Sequence, residues 1–130
     1  MRIHRTILAS AMAVAAAGAL LTGGATAANA ATKWDHIWHW GSDGVWVKER
    51  GDVIKLCDVK RDGNPAWIIV IPAKGDYYSF EVHGGYGACR THRASQGGKY
   101  NLREGVNVRL RFWNYNAGRV YGYKHFTNDH

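Results

Sequence analysis

The chain has 130 residues, 17 of them Lys or Arg against 10 Asp or Glu, for a formal charge of +7 with His neutral. That length leaves room for one domain with one core. The two cysteines lie far apart with no Cys-x-x-Cys, which argues against a redox motif or a thiolate zinc site.

Arg2 and Arg5 lead into an apolar stretch over residues 7–21, and small residues follow up to Ala28-Asn29-Ala30. This charged, apolar, small-residue order is that of a cleavable secretory signal peptide, expected as a leader helix over 1–30. The apolar stretch, broken by Ser10 and Gly18, is short of the roughly 20 residues a membrane span takes. No Cys follows the small-residue box, so no lipid attachment is expected there. Cleavage after Ala30 takes Arg2 and Arg5 away and leaves 15 basic and 10 acidic residues, a net of +5, in an extracellular protein.

Residues 31–44 form an aromatic segment that contains Trp34-Asp35-His36-Ile37-Trp38-His39-Trp40. Pleated geometry would put Trp34, His36, Trp38 and Trp40 on one side. Exposed indoles there would stack on sugar rings, whereas buried ones would complete a small core. His36 and His39 lack a third obvious metal ligand, so no metal is expected.

Strand-like runs follow at 45–50, 53–59, 66–71, 77–83, 106–115 and 119–126, separated by turns rich in Gly, Asp and Asn. Over 77–83, Tyr78, Phe80 and Val82 alternate with Tyr77, Ser79, Glu81 and His83. Over 106–115, Val106, Val108, Leu110 and Phe112 point inward and alternate with Asn107, Arg109, Arg111, Trp113 and Tyr115. The apolar run 67–71 is expected as a central strand buried on both faces. Asn114 to Gly118 supplies a hairpin connection whose Gly can take positive φ. Helical periodicity is missing after the leader. The expected fold is all-β, a single small antiparallel β-sandwich, immunoglobulin-like, or a closed barrel, over 45–130. A Cys57–Cys89 disulfide would close a 33-residue loop and contribute roughly 3.5 to 4 kcal/mol in the chain-entropy model.

Gly51-Asp52, Cys57-Asp58 and Asp62-Gly63 are followed by Cys89. Gly98-Lys99-Tyr100-Asn101-Leu102-Arg103-Glu104-Gly105 then precedes the long strand, and Phe126-Thr127-Asn128-Asp129-His130 closes the chain. In this pattern the sequence resembles small secreted actinobacterial all-β proteins of uncharacterised function. The likeness runs from Gly51 onward and rests on turns and a disulfide. It implies a fold and carries over no functional residue, and the aromatic segment before Gly41 lies outside it.

Candidate binding residues are Arg109, Arg111, Trp113 and Tyr115 on the polar side of the long strand, together with Trp34, Trp38 and Trp40. Arg grips phosphate or carboxylate bidentately while rings stack on planar groups, a pairing suited to an anionic polymer. Arg90, His92 and Arg93 would enlarge that patch. The plainer reading is a solvated strand face whose Arg residues discourage edge pairing. Residues 58–64 offer Asp58, Asp62 and Asn64, but Lys60 and Arg61 count against calcium, and a turn explains them. No cofactor is expected.

Ser42, Ser79 and Ser95 lie outside any Gly-x-Ser-x-Gly elbow. Glu81 and His83 would share one face, an acid and a base able to flank a phosphodiester. The leading expectation is a secreted non-catalytic binding or cell-surface module for an anionic polymer or glycan. The alternatives are an inhibitor or toxin that binds another protein through loops 84–87 and 94–99, and a small ribonuclease.

Overall fold

A computed structural model describes residues 33–115 and 118–130. The leader expected over 1–30 and the hairpin tip at 116–117 lie outside these residues. In chain order the strands are β1 (His36–Trp40), β2 (Asp43–Lys48), β3 (Val53–Asp58), β4 (Ala66–Pro72), β5 (Tyr78–Val82), β6 (Cys89–His92), β7 (Val106–Asn114) and β8 (Arg119–Asn128). They form two antiparallel sheets, ordered β1-β2-β3-β6 and β5-β4-β7-β8. No strand belongs to both, so the architecture is a sandwich and not a closed barrel. An immunoglobulin sheet would run first, second, fifth, fourth; here the first sheet takes its last strand from β6.

Two-residue alternation builds the core. Val45, Val47, Ile54 and Leu56 from the first sheet meet Ile68, Val70, Tyr78, Phe80, Leu110 and Phe112 from the second in one buried cluster. Full burial of each large aliphatic side chain contributes about 1.5–3 kcal/mol. On β4 only Ala66, Ile68, Val70 and Pro72 are buried, while Trp67, Ile69 and Ile71 are half-buried on the outer side. The expected burial of this run on both faces is therefore corrected, because among the described residues no further layer covers that side of the sheet.

The aromatic segment enters the first sheet directly, with β1 pairing His36 to Val47 and Trp40 to Asp43. The short edge strand β6 had no apolar alternation to announce it. Cys57 and Cys89 sit opposite one another across β3 and β6 and form the disulfide, with Cα atoms 4.0 Å apart.

Gly122 explains how β1 closes over the core. A Cβ on it would stand 2.5 Å from Trp40 Cε2. Without one, the indole lies over β8 and stacks on Phe112, with ring centroids 6.1 Å apart, while the Lys124 ammonium sits 5.5 Å from the same ring system. Trp38 packs beside it, 6.5 Å from Phe126. Gly122→Ala should cost about 1–3 kcal/mol through overpacking, read as a lower denaturant midpoint. The loss should shrink in a Trp40→Ala background, and an unchanged midpoint for Gly122→Ala alone would contradict this packing.

His92 is 5% exposed, stacked on Tyr100 at 4.3 Å and edge-on to Phe80 at 4.6 Å. Burial holds its imidazole below the ordinary value of 6.5, against the opposing hydrogen bond that its Nδ1 donates to Gln96 Oε1 and with smaller downward contributions from Arg90 and Lys99. The folded state thus binds this proton less readily than the unfolded chain does. Its contribution to stability is whole above about pH 6.5 and is lost as pH falls from there through the folded value. Denaturant titrations should show stability declining over that interval, with a smaller decline in His92→Gln. An identical pH dependence in both proteins would remove His92 as the cause.

Candidate functional site

The outer side of the second sheet takes the residues that the core leaves over. Register places Ser79, Ile69, Arg111 and Tyr123 in one cross-strand row, and Ile71, Arg109 and His125 in the next. Arg109 and Arg111 are two residues apart on one strand, so their backbones repeat at about 6.7 Å. Both guanidinium groups approach the Tyr123 ring, at 5.9 and 5.7 Å from its centroid. Such cation–π contact adds about 0.5–1 kcal/mol at exposed positions. Tyr123 itself remains 48% exposed, which leaves ring surface for a ligand.

The charges on this face are not neutralised by carboxylates. Among the described residues neither Arg109 nor Arg111 has a carboxylate within 4.0 Å, and the Nε of each is buried without a hydrogen-bond partner. At the backbone spacing two unit charges repel by about 0.6 kcal/mol in bulk water and about 2.5 kcal/mol at an effective dielectric of ~20. A bound anion converts that repulsion into attraction. Glu81 is the one acid in the four strands of this sheet, and it is engaged. Tyr115 Oη donates to its Oε2 at 2.6 Å, and His83 Nε2 lies 2.7 Å from the same oxygen.

Trp113 and Tyr115 continue the face along β7 and just beyond its end. Trp67 sits 4.9 Å from Trp113 and 5.7 Å from Tyr115, ring to ring, each pair tilted. At the other end of the face, Ile71, Pro72, Ala73, Asn107, Arg109 and His125 line a shallow depression of about 240 Å³. Its lining combines three apolar residues with a guanidinium, an amide and an imidazole. This combination suits a small ring bearing an anionic group.

The structure thus brings Arg109, Arg111, Trp113 and Tyr115 onto one surface and separates them from the three N-terminal indoles. Trp38 and Trp40 pack on the core at β1. Trp34 does not share their side. Regular pairing starts only at His36, Asp35 sits in a bend held by the Glu49 N–H, and Trp34 lies against Lys55 on the outer side of the first sheet. Arg90, His92 and Arg93 also fall outside the patch they were expected to enlarge, because β6 pairs with β3 in the first sheet and turns His92 into the core. Tyr123, His125 and Trp67 belong to the face although sequence reasoning passed over them. For the two on β8 the signal was available, since 123 and 125 alternate with the buried Phe126.

Other expectations resolve in similar terms. Glu81 Oε2 and His83 Nε2 lie 2.7 Å apart on one face, as their alternation implied. Asp58 accepts the Lys60 N–H, and Asp62 accepts the Asn64 N–H and the Ser42 hydroxyl, so these carboxylates shape the turn. Loops 84–87 and 94–99 lie at opposite ends of β3, tied to Asp58 and to Gly51, and do not form one contact surface. The one group of His, Cys, Asp and Glu side chains among the described residues close enough to hold a metal is Asp52, Glu104 and His130. There Asp52 already accepts the Leu102 N–H and the Asn128 amide, and Glu104 pairs with His130 at 3.1 Å.

The Tyr115 phenol is held well above its usual range, by burial first and then by its hydrogen bond to Glu81. Tyr78 is raised as well, but by burial in the core. In ring-labelled protein followed by NMR, Glu81→Gln should bring the Tyr115 ionisation down and leave Tyr78 in place. A Tyr115 midpoint that does not move would contradict the contact. No protein-family model, curated protein or solved structure matches the chain, so the reading of this face rests on its own geometry.

Proposed function

We propose that the protein is a secreted binding or cell-surface module that holds an anionic glycan on the outer side of its second sheet. The observation that carries this reading is the pair Arg109 and Arg111, laid on Tyr123 without a carboxylate partner among the described residues. Guanidinium forks match carboxylate and sulfate oxygens in geometry as well as charge.

The arrangement of the rings favours a sugar polymer over a single-stranded nucleic acid. Trp67 meets Trp113 and Tyr115 at tilted angles, so these rings do not line up as a ladder of parallel platforms for successive bases. Each ring that reaches the surface offers one face, which suits the C–H side of a pyranose. The leader expected over 1–30 and the Cys57–Cys89 disulfide support an extracellular setting, where such bridges persist.

On immobilised polygalacturonate, Arg109→Ala with Arg111→Ala should weaken binding about tenfold to a hundredfold for each guanidinium–anion hydrogen bond removed, since charged hydrogen bonds contribute about 1.5–3 kcal/mol. Elution should move to lower salt, because attraction to a polyanion falls as counterions compete. Arg109→Lys with Arg111→Lys should keep the salt dependence but lose affinity with the fork. Elution of the double Ala variant at the wild-type salt concentration would overturn the proposal.

A further inference from the structure

A second cationic groove lies on the opposite side of the sandwich. Register across the first sheet sets Ile37, Trp46, Lys55 and Thr91 in one outward row, with Lys48 paired to Val53 in the next. The Lys55 ammonium stands 5.6 Å from the Trp46 ring and 6.0 Å from the Trp34 ring, so two indoles from different parts of the chain converge on one charge. Trp34, Lys48, Val53, Lys55, Thr91 and Arg93 line a depression of about 380 Å³. Among the described residues, three cations and no carboxylate line this space.

The acids nearest in the chain are committed elsewhere. Asp35 accepts the Glu49 N–H at 2.8 Å, and Glu49 Oε1 contacts His36 Nε2 at 2.7 Å. What remains exposed is indole surface for a sugar ring, a hydroxyl from Thr91, and ammonium and guanidinium groups on either side of it. The apolar faces of the two sheets are turned toward each other, so this groove and the Arg109 face point in opposite directions. A chain lying along one leaves the other open.

We infer that the groove is a second seat for an anionic glycan, so that one domain carries a chain on each broad side and ties the two together. The class of ligand rests on the reading of the Arg109 face, whereas the groove's residues are entirely separate from it. Lys48 and Lys55 act as point charges where Arg109 and Arg111 act as forks. The groove should therefore tolerate more varied anion geometry than the opposite side.

The test is calorimetric titration of the disulfide-bonded protein with short oligogalacturonate, paired with light scattering on long polygalacturonate. Wild type should take two oligomers per chain and cross-link the long polymer into scattering particles. Lys55→Gln with Arg93→Gln should remove one of the two sites and abolish scattering, and Arg109→Ala with Arg111→Ala should do the same through the other site. Near-UV circular dichroism checks that each variant is folded, and Lys48→Glu provides a single-residue challenge to the groove if the Gln pair is not. One site that vanishes only with the Arg109 and Arg111 changes overturns this inference and leaves the proposed function standing. One site that vanishes only with the Lys55 and Arg93 changes overturns both the bridging and the assignment of the Arg109 face. Absence of binding by wild type overturns both readings.

Discussion

Val45, Val47, Ile54 and Leu56 share one buried cluster with Ile68, Val70, Leu110 and Phe112, and this apolar contact between two sheets decides what every strand can show to solvent. A strand that gives one side to the core has only its other side for function. On β7 that remainder is Asn107, Arg109, Arg111 and Trp113. On β2 and β3 it includes Trp46, Lys48 and Lys55. The cationic and aromatic character of both outer faces follows from the same alternation that builds the core, and the inward fit of Trp40 over Gly122 extends that core to the edge strand β1.

The distribution of the acids completes the electrostatic picture. The three short imidazole–carboxylate contacts among the described residues join His36 to Glu49, His83 to Glu81 and His130 to Glu104. Asp58 and Asp62 accept turn N–H groups, and Asp52 is buried against Asn128 and Leu102. Carboxylates thus serve turns, imidazoles and the core, while the cations of the two outer faces are held by rings. Tyr123 carries two guanidinium groups on one side, and Trp34 and Trp46 converge on Lys55 on the other.

Much of the second sheet was legible in the sequence because its strands alternate cleanly. Tyr78, Phe80 and Val82 declare one side of β5, and Val108, Leu110 and Phe112 one side of β7, so the face with Arg109, Arg111, Trp113 and Tyr115 could be read directly. The run at 67–71 carries no such parity, since every position is apolar, and its outer half was misassigned to the core. Trp34 was misplaced because alternation has meaning only inside a strand, and pairing begins two residues later. The groove with Trp34, Trp46, Lys55 and Arg93 could not be read at all. Its members come from separate segments whose register is set by pairing in three dimensions, and β6, with four residues, is recognisable only once Cys89 is seen opposite Cys57.

The central claim is that an anion completes the uncompensated pair at Arg109 and Arg111. NMR observation of the two Nε–Hε groups during titration with oligogalacturonate tests it most directly, since both nitrogens are buried without a hydrogen-bond partner among the described residues. The account predicts that these two resonances shift together with the Tyr123 ring signals and exchange more slowly with solvent. Resonances that stay fixed at Arg109, Arg111 and Tyr123 while binding perturbs only the turns around Gly63 and Gly85 would contradict it.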